Sequence, residues 1–206
     1  MVSVSDFASG SAIIVSGISL WHTSLRAADL KIFVPPVIRY ASPYQNSIFE
    51  AFEIPLTIIN EGARTGTVLS IDLTVADLQQ RQTKRFYSAT IGPWHREAPD
   101  FKPFAPISLA GRTSLSQSQS QTLLFYPRND ETVMQIIKGP GRFRFSLSLN
   151  VAGARSPNIL TRLFGGRAPA PLVFDMNLPM LDHRSFTQGS GTVTLNHVDW
   201  QASGNL

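Results

Sequence analysis

The sequence predicts an all-β chain that folds as an antiparallel β-sandwich, and three observations indicate this class. Apolar and polar residues alternate in many short segments, the pattern of strands that bury one face. The 14 prolines and 14 glycines are spread along the chain, which favours frequent turns over long helices. The alternating segments recur at spacings of roughly 10 to 20 residues, so we expect about nine strands, with helical turns only in crossovers.

The most regular alternation runs from Gly141 to Val151, where the sequence reads GRFRFSLSLNV. Successive side chains of a strand point to opposite faces, so one face of this segment is wholly apolar. The residues predicted to face the core are Phe143, Phe145, Leu147, Leu149 and Val151. We therefore predict a half-buried strand here, with Arg142 and Arg144 on its outer face.

A second alternating stretch, Phe52 to Val75, predicts a β-hairpin. One face is apolar in each arm, with Phe52, Ile54, Leu56 and Ile58 in the first and Leu69, Ile71, Leu73 and Val75 in the second. The connector from Asn60 to Gly66 is too long for a two-residue turn, and its asparagine and glycines can supply positive φ angles. Pro55 indicates an edge or a bulge in the first arm, because proline donates no ladder hydrogen bond.

The other strands are predicted at Leu30–Val34, Val37–Tyr40, Lys84–Ile91, Ile107–Leu109, Thr113–Tyr126, Leu172–Leu178 and Gly191–Trp200. Two short crossover helices are predicted at Asn129–Lys138 and Pro157–Phe164. Asn129 or Asp130 can cap the first, Ser156 can cap the second, and glycine follows each. The Ser-Gln repeat suggests a long strand whose middle leaves the core, so Ser114 to Thr122 is a candidate exposed edge. A bulge is expected near Asn196 and His197, where the apolar phase changes.

The first 27 residues form an apolar N-terminal segment that precedes a single predicted domain over residues 28–206. Phe7 to Trp21 carries no charged residue, but serines and glycines dilute it, and a bilayer span needs about 20 apolar residues. A cleaved signal peptide is disfavoured, because Asp6 precedes the run and no small-residue cleavage site follows it.

Three interpretations of this segment stay open: a single-pass membrane anchor of undetermined side, a strand or helix packed on the domain, and a disordered leader. The expected localisation is membrane-associated, and soluble cytoplasmic is the alternative.

Composition and charge exclude several kinds of chemistry. The chain has no cysteine, so it forms no disulfide, thiolate metal site, iron–sulfur cluster or cysteine nucleophile. The formal charge is +4, but the basic residues are dispersed over different predicted segments. Nucleic-acid-binding surfaces gather such residues on one face, so we expect no nucleic-acid partner.

The four histidines form no recognisable catalytic or metal motif. A serine hydrolase of the usual kind needs a Gly-x-Ser-x-Gly elbow, which is absent. His183 and His197, with Asp182 and Asp199, are suitable ligand types, but their spacing matches no recurring metal site. The sequence predicts no catalytic residue, no metal and no cofactor, and an enzyme assembled from these groups is the least favoured alternative.

The candidate binding residues are Trp94, His95 and Arg96, within the proline-rich stretch from Gly92 to Pro106. Long loops often carry function, and tryptophan beside arginine is typical of interaction hot spots. In the alternative interpretation, Trp94 folds back to cover one end of the sandwich.

One segment, IPLTIINEGARTGTVLSIDLTV, combines an alternating strand, an Asn-x-Gly turn and a returning strand. In this it resembles bacterial immunoglobulin-like adhesion modules of the CARDB type. It is also similar to bacterial proteins in which an N-terminal membrane segment precedes one such sandwich. The resemblance implies an immunoglobulin-like fold and a binding or structural role beside a membrane, and it supplies no catalytic residues.

Together these patterns favour a non-enzymatic interaction or structural module. We expect it to bind a protein partner through a strand edge or loops, and to associate with a membrane through Phe7 to Trp21. A sandwich that binds carbohydrate or another small ligand is the main alternative.

Overall fold

The computed structural model describes residues 4–33, 35–43, 50–93, 102–114, 121–152, 169–180, 183–184 and 191–198. Helix α1 (Val4–Leu20) leads into a π-helical turn, Trp21–Leu25, and thirteen strands follow within these ranges. Every pairing among the described strands is antiparallel. The prediction of an all-β, antiparallel protein is therefore confirmed.

The strands are β1 (Leu30–Phe33), β2 (Val37–Ala41), β3 (Ala51–Pro55), β4 (Thr57–Asn60), β5 (Gly66–Asp77), β6 (Gln82–Pro93), β7 (Lys102–Pro103), β8 (Ile107–Leu109), β9 (Thr113–Ser114), β10 (Gln121–Pro127), β11 (Gly141–Val151), β12 (Leu172–Leu178) and β13 (Thr192–His197).

Eight of these strands close into a barrel. Their order is β6-β10-β3-β2-β13-β12-β11-β5, and β5 pairs back onto β6. The closing ladder runs from Asp72 opposite Tyr87 to Asp77 opposite Gln82. The predicted immunoglobulin-like sandwich, and with it the resemblance to CARDB-type modules, is wrong. A sandwich consists of two stacked sheets with edges, whereas β5 and β6 here join the ends of one sheet to each other.

Beyond their shared ladder, β5 and β6 each pair with a further strand. The start of β5 pairs with β8, Gly66 lying opposite Leu109, and the end of β6 pairs with β7. The Phe104 backbone N–H also donates to the Ala89 carbonyl at 2.8 Å. Residues 102–109 therefore pair with β6 through their first part and with β5 through their last part.

A second, three-stranded sheet has the order β1-β4-β9. Each of its strands is next to a barrel strand along the sequence. The chain leaves the barrel sheet after Pro55 and enters the smaller sheet at Thr57. An edge or a bulge was predicted at Pro55, whereas the structure has the end of β3 there, in a strand paired with both β2 and β10.

Residues 52 to 75 form the predicted strands but not the predicted hairpin. β4 pairs with β1 and β9, and β5 pairs with β6, β8 and β11. The first arm buries all four predicted residues. In the second arm Val68 is buried and Leu69 is exposed, because a bulge places Val68 and Ser70 opposite successive residues of β11. From Ile71 onward the predicted phase is confirmed.

The barrel interior is packed with aromatic rings from four strands. The Phe52 ring meets Phe86 edge-on, with centroids 5.0 Å apart, and meets Phe145 in the same way at 5.4 Å. The Tyr40 ring lies 5.0 Å from Phe52 on another side. All five residues predicted to face the core from β11 are buried. At this level the barrel is filled by side chains, as is usual for eight strands.

The segment Arg128–Pro140, here called the β10–β11 segment, does not contain the predicted helix Asn129–Lys138. Its acidic residues pair with Arg85 instead of capping a helix: Arg85 contacts Asp130 at 2.8 Å and Glu131 at 2.7 Å. Ile136 and Ile137 are fully buried in the core. Long-range contacts therefore replace the local helical bonds. The second predicted helix, Pro157–Phe164, lies outside the described residues.

Asn60 fastens the base of α1 to the rest of the protein. Its side chain is buried, and its Oδ1 accepts hydrogen bonds from the backbone N–H groups of Asp29 and Gly62 at 3.1 and 3.0 Å. Its Nδ2 donates to the carbonyls of Arg64, Leu109 and Ala110. One amide side chain thus joins the segment after α1, the loop after β4 and the end of β8. We call this arrangement the root of α1.

The two connector glycines do not have the predicted positive φ angles. Gly62 is required by a close approach, because a Cβ at this position would lie 2.0 Å from the Ala27 carbonyl oxygen. Gly111 approaches Ala63 in the same way, also at 2.0 Å. The root therefore packs backbone against backbone.

Candidate functional site

The predicted binding residues Trp94, His95 and Arg96 lie outside the described residues, between the end of β6 and the start of β7. Their role stays a prediction.

The prediction of an exposed edge from Ser114 to Thr122 is wrong at Thr122. Thr122 lies between two neighbours, paired with Pro55 of β3 and Gly92 of β6. The buried Leu123 and Phe125 place β10 in the barrel wall, which leaves no open edge there. Ser114 belongs to a separate strand, β9, in the smaller sheet, so 113–126 is not one strand of a single sheet. Residues 115–120 lie outside the described ranges.

A buried cluster of charged and polar groups lies where the β10–β11 segment meets the barrel. Lys84 forms an ion pair with Oε1 of Glu50 and donates to the Met134 carbonyl at 3.0 Å. The Tyr40 hydroxyl donates to Glu50 Oε2 at 2.6 Å, and the Ile136 N–H lies 3.2 Å from both carboxylate oxygens. Two strands, β2 and β6, and the long segment after β10 therefore converge on a single carboxylate.

Burial controls the chemistry of this cluster. Burial raises the pKa of Tyr40 far above its ordinary value, and the negative charge of Glu50 raises it further. A phenolate beside a buried carboxylate would place two like charges together, so the phenol keeps its proton and donates. The Lys84 ammonium also lies 5.6 Å from the centroid of the Phe86 ring, an additional favourable contact for a buried cation.

The cluster fastens the β10–β11 segment to the barrel rather than facing a pocket. The Lys84 and Glu50 side chains are 1% and 0% exposed, so neither is accessible to a dissolved substrate in this conformation. The carboxylate accepts bonds from three groups, as a buried charge requires. Its chemical role here is to hold the Met134–Ile136 backbone in place.

Sequence analysis missed this cluster, although one signal was present. Lys84 has the same strand phase as Phe86 and Ser88, both of which are buried, and Glu50 has the phase of Phe52. A charge in the apolar phase of a strand is the pattern that reveals a buried ion pair. The partner of that charge, far away in sequence, is set by the barrel closure.

Helix α1 carries an exposed apolar surface. Every side chain from Ser11 to Leu20 is exposed. The large apolar residues among them are Ile13, Ile14, Val15, Ile18 and Leu20, with exposed fractions between 55% and 72%. At the base of the helix, Arg112 donates to the His22 carbonyl at 2.8 Å, and the root follows. This surface is the candidate interaction site.

Among the described residues, no helix is long and apolar enough to cross a membrane. In the same ranges, His, Asp and Glu side chains form no group of three that could hold a metal ion. His197 ends β13, with its ring 6.2 Å from that of Phe174. Asp182 and Asp199 lie outside the described residues.

Comparison with known proteins gives no family. No protein-family model and no curated protein match this chain. Among solved structures, the chain is similar to a Bordetella pertussis protein provisionally named ApaA, at 12% sequence identity and a TM-score of 0.35. The match covers 75% of this chain and 98% of the other.

Proposed function

We propose that this protein is a non-enzymatic interaction module that helix α1 attaches to a lipid bilayer, leaving the barrel to bind a protein partner. The observation that carries the proposal is the uncovered apolar surface of α1. Large apolar side chains in water are unfavourable, and a continuous set of them marks an interaction site.

The distribution of these side chains favours lipid over a protein groove. Ile13, Ile14 and Val15 are consecutive, and successive helix residues are separated by about 100°, so the three cover more than half of the circumference. Ser16 and Ser19 interrupt the apolar surface on the remaining side. A helix of this kind can lie in the bilayer interface with its wide apolar face against the acyl chains, whereas a protein groove covers one narrow stripe of a helix.

The charges near α1 indicate whether anionic lipid is needed for membrane binding. Within the helix, Asp6 is the one charged residue. The first basic residues after it are paired, Arg26 with Asp29 at 3.0 Å and Lys31 with Glu61 at 2.5 Å. Electrostatic attraction to anionic lipid is therefore weak here, and binding should depend on apolar burial and change little with salt.

The root supports a tethering role, because it fixes where the helix leaves the barrel. The Arg26 carbonyl accepts hydrogen bonds from the backbone N–H groups of Ala63 and Arg64, both at 3.1 Å. A fixed exit places the barrel close to the surface that α1 enters. The predicted loop at Trp94 remains the candidate contact for the protein partner.

Vesicle flotation of the full chain with phosphatidylcholine tests the proposal. We expect the wild type to float with vesicles at both low and high salt. The double substitution Ile14→Ser with Ile18→Ser should leave the protein in the dense fraction. Met134→Ser is the matched control, since Met134 is 56% exposed on the barrel and should not affect flotation.

Two outcomes would contradict the membrane proposal. Wild-type protein that stays with the dense fraction does not bind lipid. Protein that forms an oligomer dispersed by the Ile14→Ser and Ile18→Ser pair, with no flotation, uses α1 as a protein interface instead. Partner binding is tested separately: Trp94→Ala should reduce capture of a host protein while leaving flotation unchanged.

A further inference from the structure

A cleft of about 420 Å³ lies on β11, β12 and the end of β13, away from α1 and the root. Its lining includes Arg142, Arg144, Val173, Phe174, Asp175 and His197. The two arginines are neighbours on the outer face of β11, and Asp175 lies opposite Arg144 in the paired strand. Strand pairing, rather than a flexible loop, therefore sets the spacing of the charged groups.

One carboxylate holds both guanidinium groups in this cleft. Asp175 Oδ1 accepts from Arg144 Nε at 2.9 Å, and Oδ2 accepts from a second Arg144 nitrogen at 3.2 Å. Arg142 reaches the same Oδ2 at 2.9 Å. Asp175 is 12% exposed, whereas the arginines are 56% and 52% exposed. The carboxylate is thus mostly buried, and the two guanidinium groups face solvent.

The arrangement leaves a net positive charge and unused donors. Two guanidinium groups and one carboxylate sum to +1, and each guanidinium carries five N–H donors. Two other exposed arginines differ: Arg85 meets both Asp130 and Glu131, and Arg128 has its own carboxylate, Asp72. In this cleft the donors exceed the internal acceptors.

The apolar part of the cleft lies beside these donors. Val173 is 55% exposed on the outer face of β12, and the ring of Phe174 stacks against Phe145 from below. A ligand that bears a planar or tetrahedral oxyanion and a short apolar group matches both parts. Guanidinium forks bind carboxylate and phosphate oxygens in pairs, so either headgroup fits.

We propose that this cleft binds a small oxyanion ligand, a carboxylate or phosphate ester, with Arg142 and Arg144 as the anion-binding pair and Val173 as the apolar contact. Asp175 positions the two guanidinium groups and does not itself meet the anion. The site is independent of α1, so it holds whether or not the chain attaches to a membrane.

Titration of the full chain with inorganic phosphate and, separately, with butyrate tests this assignment by NMR. We expect saturable shifts of the Val173 and Asp175 backbone amides that diminish as salt is added. Arg142→Gln should weaken binding by at least about tenfold, the usual loss for a charge-assisted hydrogen bond. Arg142→Lys keeps the charge but not the fork, and should bind with intermediate affinity.

Arg128→Gln is the matched control, because Arg128 is also exposed and ion-paired but lies outside the cleft. It should bind both anions as the wild type does. Saturation by phosphate alone or by butyrate alone identifies which oxyanion the site takes. Absence of saturable shifts with both anions would overturn the proposal, and so would equal weakening by Arg142→Gln and Arg128→Gln. Chemical denaturation of each variant establishes that a loss of binding is not a loss of folding.

Discussion

Lys84 of β6 and Glu50, the residue before β3, form an ion pair inside the barrel with exposed fractions of 1% and 0%. Desolvating two charges is costly, and the cost is recovered only when each group is fully hydrogen-bonded. Here the carboxylate accepts from Lys84, Tyr40 and the Ile136 backbone, and the ammonium also binds Met134. The pair therefore serves mainly to fix the position of the β10–β11 segment, and it contributes little net stability.

Lys84→Met is expected to destabilise the protein strongly. It leaves Glu50 charged and buried without its cation, and breaking a buried pair in this way costs about 3 to 5 kcal/mol. Urea unfolding, with the midpoint and slope both fitted, measures the change. Adding Glu50→Gln to Lys84→Met removes the stranded charge, so the double variant should be more stable than Lys84→Met alone. Lys31→Met, at an exposed pair with Glu61, is the control and should change the midpoint little. A Lys84→Met midpoint equal to that of Lys31→Met would contradict the buried pair.

Tyr40 should stay protonated in the folded protein when exposed tyrosines ionise. Its pKa is raised in the folded state, so its contribution to stability is complete below about pH 10, the unfolded value, and falls as pH rises further. Ultraviolet titration of tyrosinate in the wild type and in Tyr40→Phe measures this. The two curves should coincide until the wild type unfolds, because Tyr40 contributes no phenolate before then. A difference of one tyrosinate at a pH where both proteins remain folded would refute it.

Strand phase was predictable from sequence and strand partners were not. The inward residues of β11 and the first arm at Phe52 follow from alternation, which is a local property. The predicted hairpin between β4 and β5 was wrong, because strand pairing depends on segments that are distant in sequence. β5 pairs with β8 and β11 where β4 was expected. Alternation also cannot distinguish a sandwich from a barrel, since both bury one face of each strand. The closure between β5 and β6 decides the class.

The candidate sites show the same division. Lys84 was readable as an inward charge, but its partner Glu50 is 34 residues away in sequence and comes into contact only through the barrel. The helix predicted at Asn129–Lys138 had good local caps, yet Arg85 and Glu50 satisfy its side chains and backbone instead. Phe7 to Trp21 was identified as an apolar segment from composition alone, and the exposure of Ser11 to Leu20 on a helix follows from the structure.

Gly62→Ala should loosen the root of α1. A Cβ at Gly62 would lie 2.0 Å from the Ala27 carbonyl oxygen and 2.7 Å from the Ala28 Cα, both rigid backbone atoms. The backbone must shift, at a cost of about 1 to 3 kcal/mol. Gly139→Ala is the control, because nothing lies within 4 Å of a Cβ there. Hydrogen exchange of the Ala63 and Arg64 amides, which donate to Arg26, should accelerate in Gly62→Ala only. Unchanged exchange in that variant would show that the two segments do not pack as described.

Asp175 should contribute a measurable part of the acid sensitivity of folding. Its hydrogen bonds from Arg144 lower the pKa of the carboxyl below its usual value, and the charges of Arg144 and Arg142 act in the same direction. A group with a lowered folded-state pKa adds stability above its unfolded pKa, about 3.9, and loses it as pH falls through the folded value. At about room temperature, the free energy of unfolding should fall more steeply for the wild type than for Asp175→Asn between pH 5 and the acid transition. Arg144→Gln removes the main cause of the shift but leaves the contact of Arg142 with Asp175, so it should flatten the profile in part. The double variant should match Asp175→Asn in slope, because no titrating carboxyl remains at this position. An Asp175→Asn profile parallel to that of the wild type would mean that the ion pair with Arg144 is not formed in solution.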